Sequence, residues 1–286
     1  MRRKDASGDH SPSCVVVIDI ETIVPNPPAD AGEGFVKWPH HQPVVASMLG
    51  ATALGEGRYR FWMDSIRFKP GKEVEFYAAV DARIPSYGTL VGHNSRGFDV
   101  PVLALSAAAA RVPTPNLAKM HRAYRFGPLH ADLADLHSAF GAATKPSLAE
   151  VCGRFGIPVK LDTHGSEVAE LHAAGRIDDI VAYCESDIAA TYAAWLHWAA
   201  WRDGDEALLA EPLAAFSRWI EASPDRAHLL PVAGCEPARW ARKRALALSL
   251  DHARARADRR ICQDRDERAF RGDVVLADKD DDELIF

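Results

Sequence analysis

The sequence lacks any paired cysteine motif. Its five cysteines, Cys14, Cys152, Cys184, Cys235 and Cys262, form no C-x-x-C, and three of them sit inside apolar runs. Neither a zinc ribbon nor a disulfide framework is suggested, and they read as reduced, buried small hydrophobes. No apolar run approaches the roughly 20 residues that span a bilayer, and the opening MRRKDASGDHSPS is charged, with no stretch of the signal-peptide kind. The chain is therefore expected to be soluble and cytoplasmic, with no membrane partner. Excess positive charge is missing too. The formal net charge of −6 argues against strong non-specific attachment to nucleic acid. Much of it, however, comes from Asp278, Asp280, Asp281, Asp282 and Glu283 set against Lys279. A polyanionic substrate stays open, above all if metal ions neutralise further carboxylates.

What the chain does have is apolar content, 48% of 286 residues, enough for one substantial core plus an appendage. Polar residues 1–13 are expected to be disordered. The β-branched run Cys14–Ile20 predicts a strand buried on both faces. The Pro- and Gly-rich stretch Pro25–Pro43 predicts irregular structure arching over something. Val44–Ala53 and Arg58–Met63, around the turn Leu54–Gly57, predict a hairpin. Lys72–Arg83 and Val100–Arg111 have helical patterns, and Thr89–Gly92 and Leu129–Leu133 read as short strands. In Arg176–Trp201 the residues Ile177, Ile180, Val181, Cys184, Ile188, Tyr192 and Trp195 fall on one helical stripe that should face the sheet. The domain division expected is 14–201 as a catalytic domain, 202–272 as a helical extension and 273–286 as an acidic tail.

Three elements carry chemistry. In Val-Val-Val-Ile-Asp19-Ile-Glu21-Thr22, two carboxylates at i and i+2 on a strand share a face while Ile18 and Ile20 take the other. Like charges at the end of a buried strand are costly without a cation, and hard oxygen donors suit Mg²⁺ or Mn²⁺. The bland alternative is a solvated pair of strand-end charges. In Gly92-His93-Asn94-Ser95-Arg96-Gly97-Phe98-Asp99 a strand passes through a loop into a helix. Asp99 reads equally well there as an acid at a helix start, but Phe98 is an apolar residue in a polar loop. Tyr183 and Asp187 are i and i+4 on the long helix, at the edge of its apolar stripe, where side chains leave a core for a cleft. Alone, they read as a boundary tyrosine and a solvated aspartate.

Taken in this order, the three elements resemble the DEDD exonuclease superfamily, in the tyrosine variant similar to the proofreading domain of family B DNA polymerases. Supporting similarity runs through the segments from Trp38 to Ala46 and from Gly156 to Ser166. The resemblance implies an α/β, ribonuclease H-like mixed central sheet flanked by helices, with a C-terminal helical extension. It also implies two Mg²⁺ or Mn²⁺ ions per site, held by Asp19, Glu21, Asp99 and Asp187, with Tyr183 orienting or helping to deprotonate a water. The implied activity is 3′→5′ cleavage of single-stranded nucleic acid, DNA favoured over RNA, to nucleoside 5′-monophosphates. Phe98, Asn94 and Thr22 are the candidate substrate contacts.

No polymerase sequence follows, so such a nuclease acts alone or is recruited by a separate polymerase or sliding clamp. The terminal Glu283-Leu284-Ile285-Phe286 loosely resembles clamp-binding peptides but lacks their glutamine. Arg239–Arg271 is arginine-rich yet mixed with acids, more in keeping with a salt-bridged helix than with a phosphate track. Other readings are a catalytically silent nucleic-acid-binding module, a ribonuclease acting on RNA, and a ribonuclease H-type endonuclease. The last has no use for the Tyr183 and Asp187 pair.

Overall fold

The computed structural model describes residues 14–29, 36–159 and 165–270. The expectations for the first 13 residues, the acidic tail with its terminal peptide, and parts of the 25–43 and 156–166 segments lie outside these. Among the described residues, five strands form one sheet: β1 (Cys14–Ile23), β2 (Gln42–Gly55), β3 (Arg58–Arg67), β4 (Thr89–Gly92) and β5 (His130–Asp132), in the order β3-β2-β1-β4-β5. Strand β2 runs antiparallel to both neighbours, while β1, β4 and β5 are parallel. This is the ribonuclease H-like mixed sheet expected from the resemblance.

The β-branched run places β1 at the centre, and its period of two divides its side chains between two cores. Val15 and Val17 enter one with Ile188, Tyr192 and Phe216, while Val16, Ile18 and Ile20 enter the other with Phe76, Leu90 and Leu103. Among the described residues, ten helices surround the sheet: α1 (Glu73–Arg83), α2 (Asp99–Ala109), α3 (Pro115–His121), α4 (Leu133–His137), α5 (Leu148–Phe155), α6 (Gly165–Ala173), α7 (Ile177–Asp203), α8 (Ala207–Glu221), α9 (Leu230–Ala233) and α10 (Glu236–Phe270). None among the described residues is long and apolar enough to cross a membrane.

Two local expectations need correction. The 25–43 stretch is not wholly irregular, because Trp38–His40 form a 3-10 turn and β2 begins at Gln42. The hairpin is also longer than its apolar pattern predicts. Gly50, opposite Trp62, leaves room for the indole, since a Cβ there would lie 2.0 Å from Trp62 Nε1. Helix α7 is more than amphipathic: Ala189, Ala190, Ala193 and Ala194 are as buried as Ile188 and Tyr192. The sheet covers one side of this helix, and α5 and α8 cover the others, so small residues permit close approach on faces that a single-stripe pattern leaves to solvent.

Candidate active site

The two acids of β1 lie on the strand face that α7 crosses. Strand β4 pairs with β1 only from Val15 to Val17, so the Ile20 amide lies beyond its last partner on that side. Asp99, in the first turn of α2, takes the place of the missing strand, its Oδ1 accepting a hydrogen bond from Ile20 N at 3.0 Å. That bond locks the third carboxylate beside the first two. Asp99 is only 3% exposed and Glu21 9%. On α7, one helical turn brings Tyr183 and Asp187 together, the phenol donating a hydrogen bond to the carboxylate.

The loop between β4 and α2 owes its shape to Asp132, which is buried at the end of β5. Its carboxylate accepts from the amides of Asn94 (2.8 Å), Arg96 (2.9 Å) and Ala134 (3.0 Å), capping α4 while bending the loop. Asn94 adopts a left-handed φ of 58°, a conformation asparagine tolerates better than most residues. Gly92 permits the close turn, as a Cβ there would meet Ser95 Oγ at 2.5 Å.

A cleft of about 610 Å³ results, lined by Asp19, Glu21, Asn94, Phe98, Asp99, Tyr183 and Asp187 together with Lys37, Trp38, Pro39 and His93. Every acid that the sequence singled out is here. Thr22 does not line it; its Oγ1 lies 2.7 Å from His41 Nδ1, and His41 packs edge-on against Phe98 with ring centroids 4.9 Å apart. Sequence reasoning missed Cys184, whose thiol donates to Asp19 Oδ2 at 3.4 Å. Its position next to Tyr183 on the stripe was the available signal. It also missed Asp132, for which the strand-end position gave none.

The electrostatics are those of acids crowded without a counter-ion. Burial raises Asp19 well above the carboxylate range, reinforced by the charges of Asp99, Glu21 and Asp187. Burial and the charges of Asp187 and Asp99 do the same to Glu21. Asp99 is pushed up to about 7, chiefly by burial and against the Ile20 hydrogen bond, and Asp19 is close enough to share a proton with it. Among the described residues no lysine or arginine forms an ion pair with Asp19, Glu21 or Asp99. Buried like charges of this kind require protons or a bound cation. Oxygen atoms of Asp19 and Glu21 and the Cys184 sulfur lie within 4.8 Å of one another, and the surrounding carboxylates supply the hard donors that a divalent ion takes. The donor set fits a metal centre.

Comparison with known proteins shows the family of the chain. Residues 33–230 match the model of a family described as predicted 3′-5′ exonuclease related to the exonuclease domain of PolB. No curated protein gives a significant match. Among solved structures, the family B DNA polymerase of Pyrobaculum calidifontis is 21% identical at a TM-score of 0.41, the match covering 78% of this chain and 27% of that one. E. coli exonuclease I, in a complex with a dA16 oligonucleotide, is 14% identical at a TM-score of 0.31, covering 52% of this chain and 32% of that one. The chain thus spans about a third or less of these proteins. Since the family match covers well over half of the sequence, the chain belongs to the family of predicted 3′-5′ exonucleases related to the exonuclease domain of PolB.

Proposed function

We propose that this exonuclease is divalent-metal-dependent and works on the 3′ end of single-stranded nucleic acid, DNA in preference to RNA, releasing nucleoside 5′-monophosphates. The observation that carries the reading is the convergence of Asp19, Glu21, Asp99 and Asp187 on one open cleft. Two Mg²⁺ or Mn²⁺ ions, when bound, would stabilise the attacking and leaving oxygens of an in-line phosphodiester displacement. Asp19, Glu21, Asp187 and Asp99, the last fixed by the Ile20 amide, would hold these ions.

Tyr183 has a narrower role than a general base. Burial and the charges of Asp187, Glu21 and Asp19 push its phenol upward, and a phenol, which ordinarily titrates near 10, is protonated at neutral pH. It donates to Asp187, and its oxygen orients the attacking water. Phe98, held edge-on by His41, supports the terminal base, and Asn94 contacts the backbone. Thr22 acts one step removed, by fixing the His41 ring.

The test is digestion of a 5′-labelled DNA strand and its RNA counterpart with Mg²⁺ or Mn²⁺. A descending ladder that needs both the metal and Asp19, faster on DNA, is expected. Internal cuts, or equal inertness of the wild type and Asp19→Ala while both still bind the strand, would overturn the reading.

A further inference from the structure

A second recess, of about 430 Å³, lies along the outer edge of the sheet beside β5, where Phe126, Phe140 and Trp198 stand among Arg96, Arg125 and Arg202. Its rim leaves large rings in water: Tyr124 is 72% exposed and Phe126 59%. These rings form a row, with centroids 5.5 Å apart from Tyr124 to Phe126 and 4.5 Å from Phe126 to Phe140. The Arg125 guanidinium lies 5.9 Å from the Phe140 ring. Phe140 is held at a φ of 58° immediately after Ala139 at 48°. A bulky residue there is strained, and such strain concentrates at functional surfaces.

Side-chain contacts link the recess to the acidic cleft. Arg125 and Lys145 both bind the buried Asp135, and Lys145 Nζ lies 3.4 Å from Asn94 Oδ1 in the cleft. Arg125 spends Nε and Nη2 on Asp135, leaving Nη1 for a further acceptor. Along α7, Asp187 of the cleft and Trp198 of the recess are 11 residues apart in sequence, a spacing that returns to the same helix face.

We propose that this edge recess binds the upstream nucleotides of the strand whose 3′ end occupies the cleft. Bases stack on Tyr124 and Phe126, and phosphates meet Arg125 and Lys145. Aromatic rings interleaved with cations are the surface that sequence-independent single-strand binding uses. In a chain of net charge −6, that local complementarity favours a polyanion over a protein. The proposal rests on the exonuclease reading above.

The test measures fluorescence anisotropy of labelled oligothymidylates, three and twelve nucleotides long, in EDTA, together with kcat/KM on both lengths with Mn²⁺. The wild type is compared with Tyr124→Ala/Phe126→Ala and with Arg125→Gln, and thermal melting checks that each variant folds. The double variant is expected to weaken twelve-mer binding by about tenfold or more, in line with stacking losses at single-strand sites. The ratio of kcat/KM for twelve-mer over three-mer should fall with it, and Arg125→Gln should flatten the salt dependence. A folded double variant with the wild-type affinity and ratio overturns the proposal, and a recess kept for a protein partner would give that result. A wild type that neither binds nor digests either strand overturns the exonuclease reading first, and this inference with it.

Discussion

At the scale of single residues, the acids of the cleft oppose the fold that holds them. The Asp19 carboxyl sits well above its ordinary value of 3.8, so the folded state prefers it protonated, and the stability tied to it is lost as pH rises through the folded value. Replacing it with a neutral isostere at pH 8 is therefore expected to stabilise the metal-free protein, by about 1 kcal/mol. The same Asp19→Asn variant should lose the rise in melting temperature that Mg²⁺ or Mn²⁺ gives the wild type, a gain of about 2.7 kcal/mol at a hundredfold excess over Kd. A melting series with and without metal reads both effects, and an unstabilised variant that still responds to metal would contradict them. His130 works in the opposite direction. Burial and the neighbouring Arg96 cation push its imidazole down to about 3, below the free value of 6.5, so the unfolded chain takes up a proton that the folded one refuses. Its contribution is fully present above about 6.5 and falls as pH drops toward 3, by about 1.4 kcal/mol per pH unit. Because the cleft acids have the reverse slope, the effect is read as a difference: the stability of His130→Gln relative to the wild type should rise as the pH falls from about 6.5 toward 3.

At the scale of elements, β1 and its two acids were legible, because alternation along a strand is an invariant of its geometry. The pairing of Tyr183 with Asp187 was legible for the same kind of reason, one helical turn being fixed. The loop from His93 to Phe98 was not. Its shape depends on Asp132, whose contacts to Asn94 and Arg96 span 38 and 36 residues of sequence, and a short strand ending in an acid carries no mark of such a partner. Asp132→Ala would leave three amides without their acceptor, a loss of about 2–4 kcal/mol. It should also let Asn94, Phe98 and Asp99 drift, so denaturant melts and cleavage rates are expected to fall together. A variant that loses stability but keeps full activity would show that the loop is held from elsewhere. The all-round burial of α7 escaped the sequence for a related reason: alanines read as neutral until the helices that press on them are known.

At the scale of the whole molecule, the helices after Trp201 share the core of the sheet domain. Leu213, Phe216 and Ile220 of α8 are fully buried in the cluster that contains Val17 and Tyr192, and Phe61 of β3 lies 5.4 Å from Phe216. A chain ending at Trp201 is expected to lose several kcal/mol, since each buried aromatic removed costs about 3–5 kcal/mol. One ending near Leu250 should melt close to the intact protein, because the described residues of α10 beyond that point are exposed. Comparing the two melts separates packing from appendage.

The 11-residue step along α7 from Asp187 to Trp198 also acts as a ruler. At 1.5 Å per residue it measures about 17 Å, close to the length of about five stacked nucleotides at 3.4 Å each. A strand longer than this grips the protein at both marks, and a shorter one holds at the acidic end alone. Digestion of long strands should thus slow abruptly near that length, leaving a narrow band of short oligomers whose size is set by helix geometry and not by sequence.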